Sequence, residues 1–222
     1  TYQDAIDILE KFHLVDQIPQ SILRHLEAGI QGKEPETPES GDRLFQRVCN
    51  TVICSNRFAA EAALKQAQQE GMHAIILSTF LQGEACHIGR VFSAIARQFD
   101  TSDHPIPRPA CLIAGGETTV TLRGNGLGGR NQELALSTVR ELAGINDIAL
   151  VTLATDGGDG PTDAAGAIVT GETLAHASMI ELDPDQFLMD NDAYHFFEPL
   201  GDLLKPGPTL TNVNDLTLMF AF

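Results

Sequence analysis

The sequence predicts an α/β protein: a mostly parallel or mixed sheet with helices on both faces, preceded by a short helical segment. Three observations carry this. Between residues 48 and 155, short apolar runs alternate with stretches of helical period. The apolar runs are apolar throughout rather than every second residue, the mark of strands buried on both faces. The chain has 222 residues, 43% of them hydrophobic, enough for one large core or for one domain and an appendage.

Apolar positions Ala5, Ile8, Leu9 and Phe12 predict a helix over 2–12. A second helix is expected over 19–29, with Pro19 at its start and Gly29 as its stop. The polar, proline-rich stretch "QGKEPETPESGD" (31–42) reads as a linker and places a boundary near residue 45. After it, "VCNTVIC" reads as a buried strand, 56–70 as a helix stopped by Gly71, and "HAIILST" as a strand. A helix over 83–98 follows, then strands at "ACLIAGG" and "TTVTL", a helix over 131–143 stopped by Gly144, and the apolar strand "IALVTLAT". The last third reads as helices and loops closing on a terminal strand, "LTLMFAF".

Charge and composition exclude several classes. A net charge of −16 argues against nucleic acid and anionic membranes, both of which need a basic footprint. Any anionic substrate must then be held by local cations and backbone amides. No segment is apolar over the ~18 residues a membrane helix needs. The acidic, amphipathic start is not a signal peptide, and it lacks an initiator Met, so a processed chain or a fragment is expected. Cys49, Cys54, Cys86 and Cys111 are scattered without a C-x-x-C and read as buried free thiols of a cytoplasmic protein. The seven His show no zinc spacing.

Two segments carry chemistry. In "TLATDGGDGPTDAAGA", an apolar strand runs into Asp156, Asp159 and Asp163, spaced by glycines. The spacing rejects an EF-hand, and carboxylates beside an anion site suit Mg²⁺ better than Ca²⁺. Open α/β sheets bind ligands beyond the carboxyl ends of their strands, which is where this loop falls. In "GGETTVTLRGNGLGGRNQELAL", Gly124, Gly126 and Gly129 form a literal G-x-G-x-x-G between a strand and a helix. The acidic partner a dinucleotide site wants comes late, at Asp156, and Arg123 and Arg130 flank the glycines. Amides, a helix start at Asn131 and a guanidinium instead suit a phosphate or carboxylate. A solvent-facing glycine hairpin is the plain alternative. "GGETT" (115–119) and "GPTLTNVNDL" (207–216) offer further polar loop groups, with simple turns as their alternative. Neither a Walker A loop nor a G-x-S-x-G elbow is present.

Together these stretches, with "TYQDAIDILEKF", "VICSNRFAAEAAL", "LQGEACHIGRVFSAIAR" and "NDAYHFFEPLGDLL", run in the order of a known family. The chain resembles the class II glycerate 2-kinases, whose C-terminal half is called the MOFRL domain and some of which bore the label hydroxypyruvate reductase. The resemblance implies transfer of the γ-phosphoryl group of ATP to the 2-hydroxyl of D-glycerate, with Mg²⁺, in an interdomain cleft. It implies that residues 1–45 are the tail of a missing N-terminal domain and a crossing linker. Residues 46–222 then form a Rossmann-like C-terminal α/β domain, with the MOFRL part at 111–222. The missing half, which carries a functional lysine, would be the partner, and a homodimer is left open.

By the resemblance, Arg130 is catalytic and neutralises charge on the transferring phosphoryl group. Ser55, Asn56, Gly115, Gly116, Glu117, Thr118, Thr119, Gly128, Gly129, Asn131, Thr211, Asn212, Asn214 and Asp215 would line the substrate and nucleotide site. Asp156, Asp159 and Asp163 are assigned to metal by position. Gly158 stands where the family pattern has an aliphatic residue, and Leu210 where it has a glycine. Two alternatives stay open: an NAD(P)H-dependent hydroxypyruvate reductase, favoured by the literal glycine pattern, and an inactive ligand-binding fragment. Replacing Arg130 by Ala is expected to cut turnover with little effect on thermal stability.

Overall fold

The computed structural model describes residues 1–102 and 104–222, which divide into two compact units, Thr1–Val52 and Ile53–Phe222. In the first unit, α1 (Tyr2–Lys11) is started by a capping box in which the Thr1 hydroxyl accepts the Asp4 amide at 3.2 Å. It packs on α2 (Gln20–Ile30), with Pro19 as N-cap. Gly29 is not the stop that the sequence suggested. It lies inside α2, buried, where a Cβ would overlap the Tyr2 ring. The stop is Gly32, at φ 71°, where the amides of Gly32 and Lys33 return to the carbonyls of Gly29 and Ala28.

Residues 48–54 correct a second expectation. They form no strand, and Val52 and Ile53 are 78% and 90% exposed. Apolar composition makes a strand only where a sheet edge offers backbone partners.

The second unit is built on a six-stranded sheet. Its strands are β1 (His73–Leu81), β2 (Ala110–Gly116), β3 (Ile148–Ala154), β4 (Gly166–Thr170), β5 (Leu203–Leu204) and β6 (Asp215–Ala221), in the spatial order β1-β2-β6-β3-β4-β5. The sheet is mixed rather than mostly parallel: among the described residues only β1 and β2 pair parallel, and every other ladder is antiparallel. β2 and β3 point the same way but do not touch, because the last strand, β6, inserts between them.

Helices cover both faces. α3 (Asn56–Gln69) sets Ala60 and Ala67 against Cys111, Ile113 and Leu216. On the opposite face, α4 (Ala85–Thr101), α5 (Arg130–Leu136), α6 (Val139–Leu142) and α9 (Ala193–Phe197) bury Phe92, Phe99, Leu134, Val139, Phe196 and Phe197 over Leu112, Leu150 and Met219. Fully burying each such aromatic contributes about 1.5–3 kcal/mol. Two-sided burial is why every residue of β2 is buried and why its sequence is apolar throughout. Between β4 and β5 run α7 (Thr173–Met179), α8 (Pro184–Met189) and α9.

Two further expectations change. "TTVTL" forms no strand, only a single bridge from Thr119 to Glu84. β2 already has β1 and β6 on its two sides, so the segment leaves the sheet past its end. The expected helix over 131–143 is broken into α5 and α6. Ser137 Oγ donates to Leu134 O and Thr138 Oγ1 to Ala135 O, each at 2.7 Å, and such back-bonding bends or ends a helix. All four cysteines are free, but Cys111 is the buried one, Cys86 is half-buried, and Cys49 and Cys54 are exposed. Among the described residues, no helix is long and apolar enough to cross a membrane.

Candidate functional site

The register of the central ladders builds the site. Asp215, the first residue of β6, lies opposite Gly116 at the end of β2 and opposite Ala154 at the end of β3. The loops leaving those two strands therefore meet the loop entering β6 at one edge of the sheet. A cavity of about 490 Å³ opens there, lined by Thr118, Thr119, Gly128, Gly129, Arg130, Glu133, Gly160 and Asn191 among others.

Arg130, the first residue of α5, is held by Asp215. Its Nε donates to Asp215 Oδ2 at 2.6 Å and its Nη2 to Oδ1 at 3.0 Å, a bidentate fork. Glu117 Oε1 stands 3.6 Å from the same Nη2. The side chain of Arg130 is 28% exposed and that of Asp215 only 8%, and the hydrogen bonds it donates to Asp215 push the guanidinium above its usual range. The pair revises the expectation for Arg130→Ala: removal strands a buried carboxylate, so stability falls as well.

The start of α5 is already occupied by an anion, and that anion is Asp159. Its Oδ1 accepts the amide and Nδ2 of Asn131 at 3.2 and 3.3 Å, and its Oδ2 accepts the amide and Nε2 of Gln132 at 2.9 and 3.2 Å. Asp159 is 1% exposed, and a Cβ on Gly129 would overlap it. Burial pushes its carboxyl upward, while the Gln132 and Asn131 donors pull it back. The amides expected to receive a ligand at Asn131 thus serve a side chain of the protein itself.

The glycine loop is fastened in the same manner. Its five successive amides from Arg123 to Leu127 all bond to Asp190, Asn191 and Asp192. Asn191 Oδ1 takes Arg123 and Gly124, Asp190 takes Asn125 and Gly126, and Asp192 Oδ1 takes Leu127. The next two amides, of Gly128 and Gly129, bond to no protein group among the described residues, and both glycines line the cavity. The amides without a protein partner and the guanidinium therefore sit at Gly128, Gly129 and Arg130, not across the literal G-x-G-x-x-G.

The three loop aspartates separate into three environments. Asp159 caps α5. Asp163 is exposed and bonded to Tyr194 Oη at 2.9 Å, with Lys205 Nζ at 3.1 Å, and these partners hold its carboxyl below the usual range. Asp156 accepts from Asn212 Nδ2 at 2.9 Å and from the Gly158 amide at 3.2 Å. Among the described residues, no group of three or more His, Cys, Asp or Glu side chains could hold a metal ion. A three-aspartate cradle for Mg²⁺ does not form.

The remaining expected site residues divide between scaffold and surface. Asn56 heads α3 after Ser55 and donates Nδ2 to the carbonyls of Val213 and Asp215, both at 2.8 Å. Its Oδ1 is buried without a partner and lies against Gly115, where a Cβ would overlap it. Gly116, at φ 147°, passes the backbone of Leu81 too closely for a Cβ. Thr118 is buried in the cavity wall, whereas Thr119 bonds Glu84. Thr211, Asn212 and Asn214 are exposed, and Thr155 laces this loop to the end of β3 through the carbonyl of Asn214 and the amide of Val213. Sequence reading assigned no role to Glu133, Glu84 or the Asp190–Asp192 turn. Three consecutive Asx residues before an aromatic helix were the one available signal for the turn.

The fold and site define an α/β protein whose mixed sheet sets a held guanidinium and unbonded glycine amides at its strand ends. Comparison with known proteins narrows this. Residues 110–215, from β2 to the first residue of β6, match the model of the MOFRL family. The chain is 38% identical to a glycerate 2-kinase of Pyrococcus horikoshii over 219 residues and 40% identical to a D-glycerate 2-kinase of Thermotoga maritima over 220, covering 98% of this chain and 49% of the relative in each case. A crystal structure of a glycerate kinase from Thermotoga maritima superposes with a TM-score of 0.81 at 40% identity, over 100% of this chain and 50% of that one. The chain thus spans about half the length of the curated relatives it matches.

Proposed function

We propose that this chain supplies one wall of an active site that transfers the γ-phosphoryl group of ATP to the 2-hydroxyl of D-glycerate, as in the relatives named glycerate 2-kinase. The other wall would come from the N-terminal half of the complete protein, across a cleft. The observation that carries the reading is Arg130: a half-buried guanidinium oriented by Asp215 beside the unbonded amides of Gly128 and Gly129, on a cavity large enough for a small sugar acid or phosphate group. In phosphoryl transfer the protein's main work is to position groups and neutralise charge on the moving phosphoryl, and a preorganised guanidinium suits that work. Asp215 keeps Arg130 from collapsing onto solvent, and Glu117 limits its attraction for anions in the resting state.

Magnesium enters this reading as the ion carried by the nucleotide. The residues of the acidic loop do not fit a protein-held ion, because Asp159 and Asp163 are committed to other partners. No step is therefore assigned to a metal held by this chain. The reductase alternative is disfavoured: the amides of its glycine fingerprint are bonded to the Asp190–Asp192 turn, and Asp159 would repel a pyrophosphate at α5.

The test is ³¹P NMR of the complete protein with D-glycerate and Mg-ATP. A 2-phosphoglycerate signal is expected. A 3-phosphoglycerate signal overturns the regiochemistry, and no phosphoryl transfer overturns the kinase reading.

A further inference from the structure

We propose that Glu133 accepts the proton of the substrate hydroxyl as that oxygen attacks phosphorus, and that Asn191 positions it for this. The proposal rests on the kinase reading above and adds the group that handles the proton. Glu133 lies three residues after Arg130 on α5, so both side chains face the same cavity. It is 6% exposed, yet it lines the cavity wall. Its Oε2 accepts from Asn191 Nδ2 at 2.8 Å, while its Oε1 bonds to no protein group among the described residues. Only Asn56 Oδ1 and Gln132 Oε1 are buried without a partner among the described residues, so this oxygen, though on a buried residue, stays open to solvent and to a ligand.

Asn191 cannot turn its amide around. Its Oδ1 accepts the Arg123 amide at 2.7 Å and the Gly124 amide at 3.1 Å, so Nδ2 must face Glu133. Its backbone, at φ 54°, is in the left-handed region that Asn tolerates best among residues with a side chain. The arrangement presents one carboxylate oxygen to the cavity and fixes the other.

The surroundings suit a proton acceptor. Burial pushes Glu133 above the usual carboxylate range; the Asn191 donor and Arg123 pull it down, while Glu84 and Asp159 push it further up. Arg130 shares its cavity, and His87 and Arg90 line the adjoining groove. A raised carboxylate is a better base near neutral pH than a solvated one.

The step balances as follows. The hydroxyl oxygen forms a bond to the γ-phosphorus, the bond from that phosphorus to the bridging oxygen breaks, and its electron pair leaves on ADP. The hydroxyl proton passes to Glu133 Oε1 and is returned to water after product release.

The test is the pH profile of kcat/KM in the complete protein, read by ADP release with D-glycerate. Glu133→Gln should lower kcat about 10²–10⁴-fold, leave KM for glycerate within about threefold, and abolish the acidic limb of the profile. Glu133→Asp should keep the limb with reduced kcat. Asn191→Asp keeps the acceptor for the two loop amides but sets a second carboxylate against Glu133, so the acidic limb should move to higher pH. A merely structural Glu133 would lower the plateau without moving the limb. The proposal is overturned if Glu133→Gln keeps kcat within about fivefold or retains the limb, or if Asn191→Asp leaves the limb in place. Should Glu133→Gln fail to fold, Glu133→Asp and Asn191→Asp decide. Wild-type protein that consumes no ATP sinks the kinase reading and the base together, which separates that failure from a failure of Glu133 alone.

Discussion

Replacing Asp159 by Ala separates a structural anion from a metal ligand. The carboxylate takes four N–H groups of Asn131 and Gln132, whose side chains and amides are themselves buried. Losing a helix cap costs about 1 kcal/mol, and each buried donor left unpaired adds about 1–3 kcal/mol. Against this stands relief of the burial cost of the carboxylate, which its raised pKa records. Water entering the vacated site re-pairs part of these donors, so a net loss of at least about 3 kcal/mol is expected, or at least roughly 6 °C in Tm for a unit of this size. Asp159→Asn retains one acceptor oxygen but turns an NH₂ toward the donors, so a loss of about 1–2 kcal/mol is expected. The assay is urea unfolding followed by circular dichroism, with the midpoint falling and the slope unchanged, alongside the Mg²⁺ dependence of ADP release. A Tm within 2 °C of wild type, together with a raised Mg²⁺ requirement, would refute the reasoning and make Asp159 a ligand.

Arg130→Lys keeps the charge but loses the fork on Asp215; turnover should fall about 10²-fold or more, the scale of a lost transition-state charge partner, and activity within threefold would remove Arg130 from the chemistry. Leu210 sits at φ 62° with its side chain 98% exposed, so Leu210→Gly should be neutral or stabilising by about 0.5 kcal/mol, the relief of left-handed strain slightly exceeding the entropy cost of glycine. Urea unfolding checks this, and a loss above about 1 kcal/mol would count against the strain. Gly89→Ala in α4 places a Cβ on Ser137 Oγ and the Leu134 carbonyl; overpacking should outweigh the gain in helix propensity and lower stability by about 1 kcal/mol, whereas a rise in Tm would deny the close approach of α4 and α5. Burial pushes the Cys111 thiol up to about 11, so at pH 8 a thiol reagent should label Cys49 and Cys54 within minutes and Cys111 only on unfolding. Rapid labelling of Cys111 in the native protein would contradict the packing of α3 on β2.

What could be read without coordinates was whatever local chemistry encodes. β2 begins and ends where "ACLIAGG" does, because a strand buried on both faces must be apolar at every position. α3 stops at Gly71, at φ 85°, because glycine enters the left-handed region freely. Arg130 stood out as a candidate from its place after the glycines, and the structure sets it in the cavity wall. "VCNTVIC" and "TTVTL" carry the same composition as real strands but lack an edge to pair with, and composition does not report edges. β4 and β5 escaped notice because one opens on glycine and the other is two residues long.

By itself, then, the sequence determined the α/β class, the apolar strands, the family resemblance, and the arginine on which the proposed chemistry turns. Only the tertiary structure decided what each polar loop residue does. Asp159 and the Asp190–Asp192 turn bond to groups 27 to 68 residues away in the chain, and no local pattern specifies that pairing. Insertion of β6 between β2 and β3 brings Asp215 beneath Arg130 and so turns a solvent-seeking guanidinium into an oriented one. The physical reason is one of range: propensity and burial are properties of a segment, whereas a satisfied buried charge is a property of two segments that meet only in the fold.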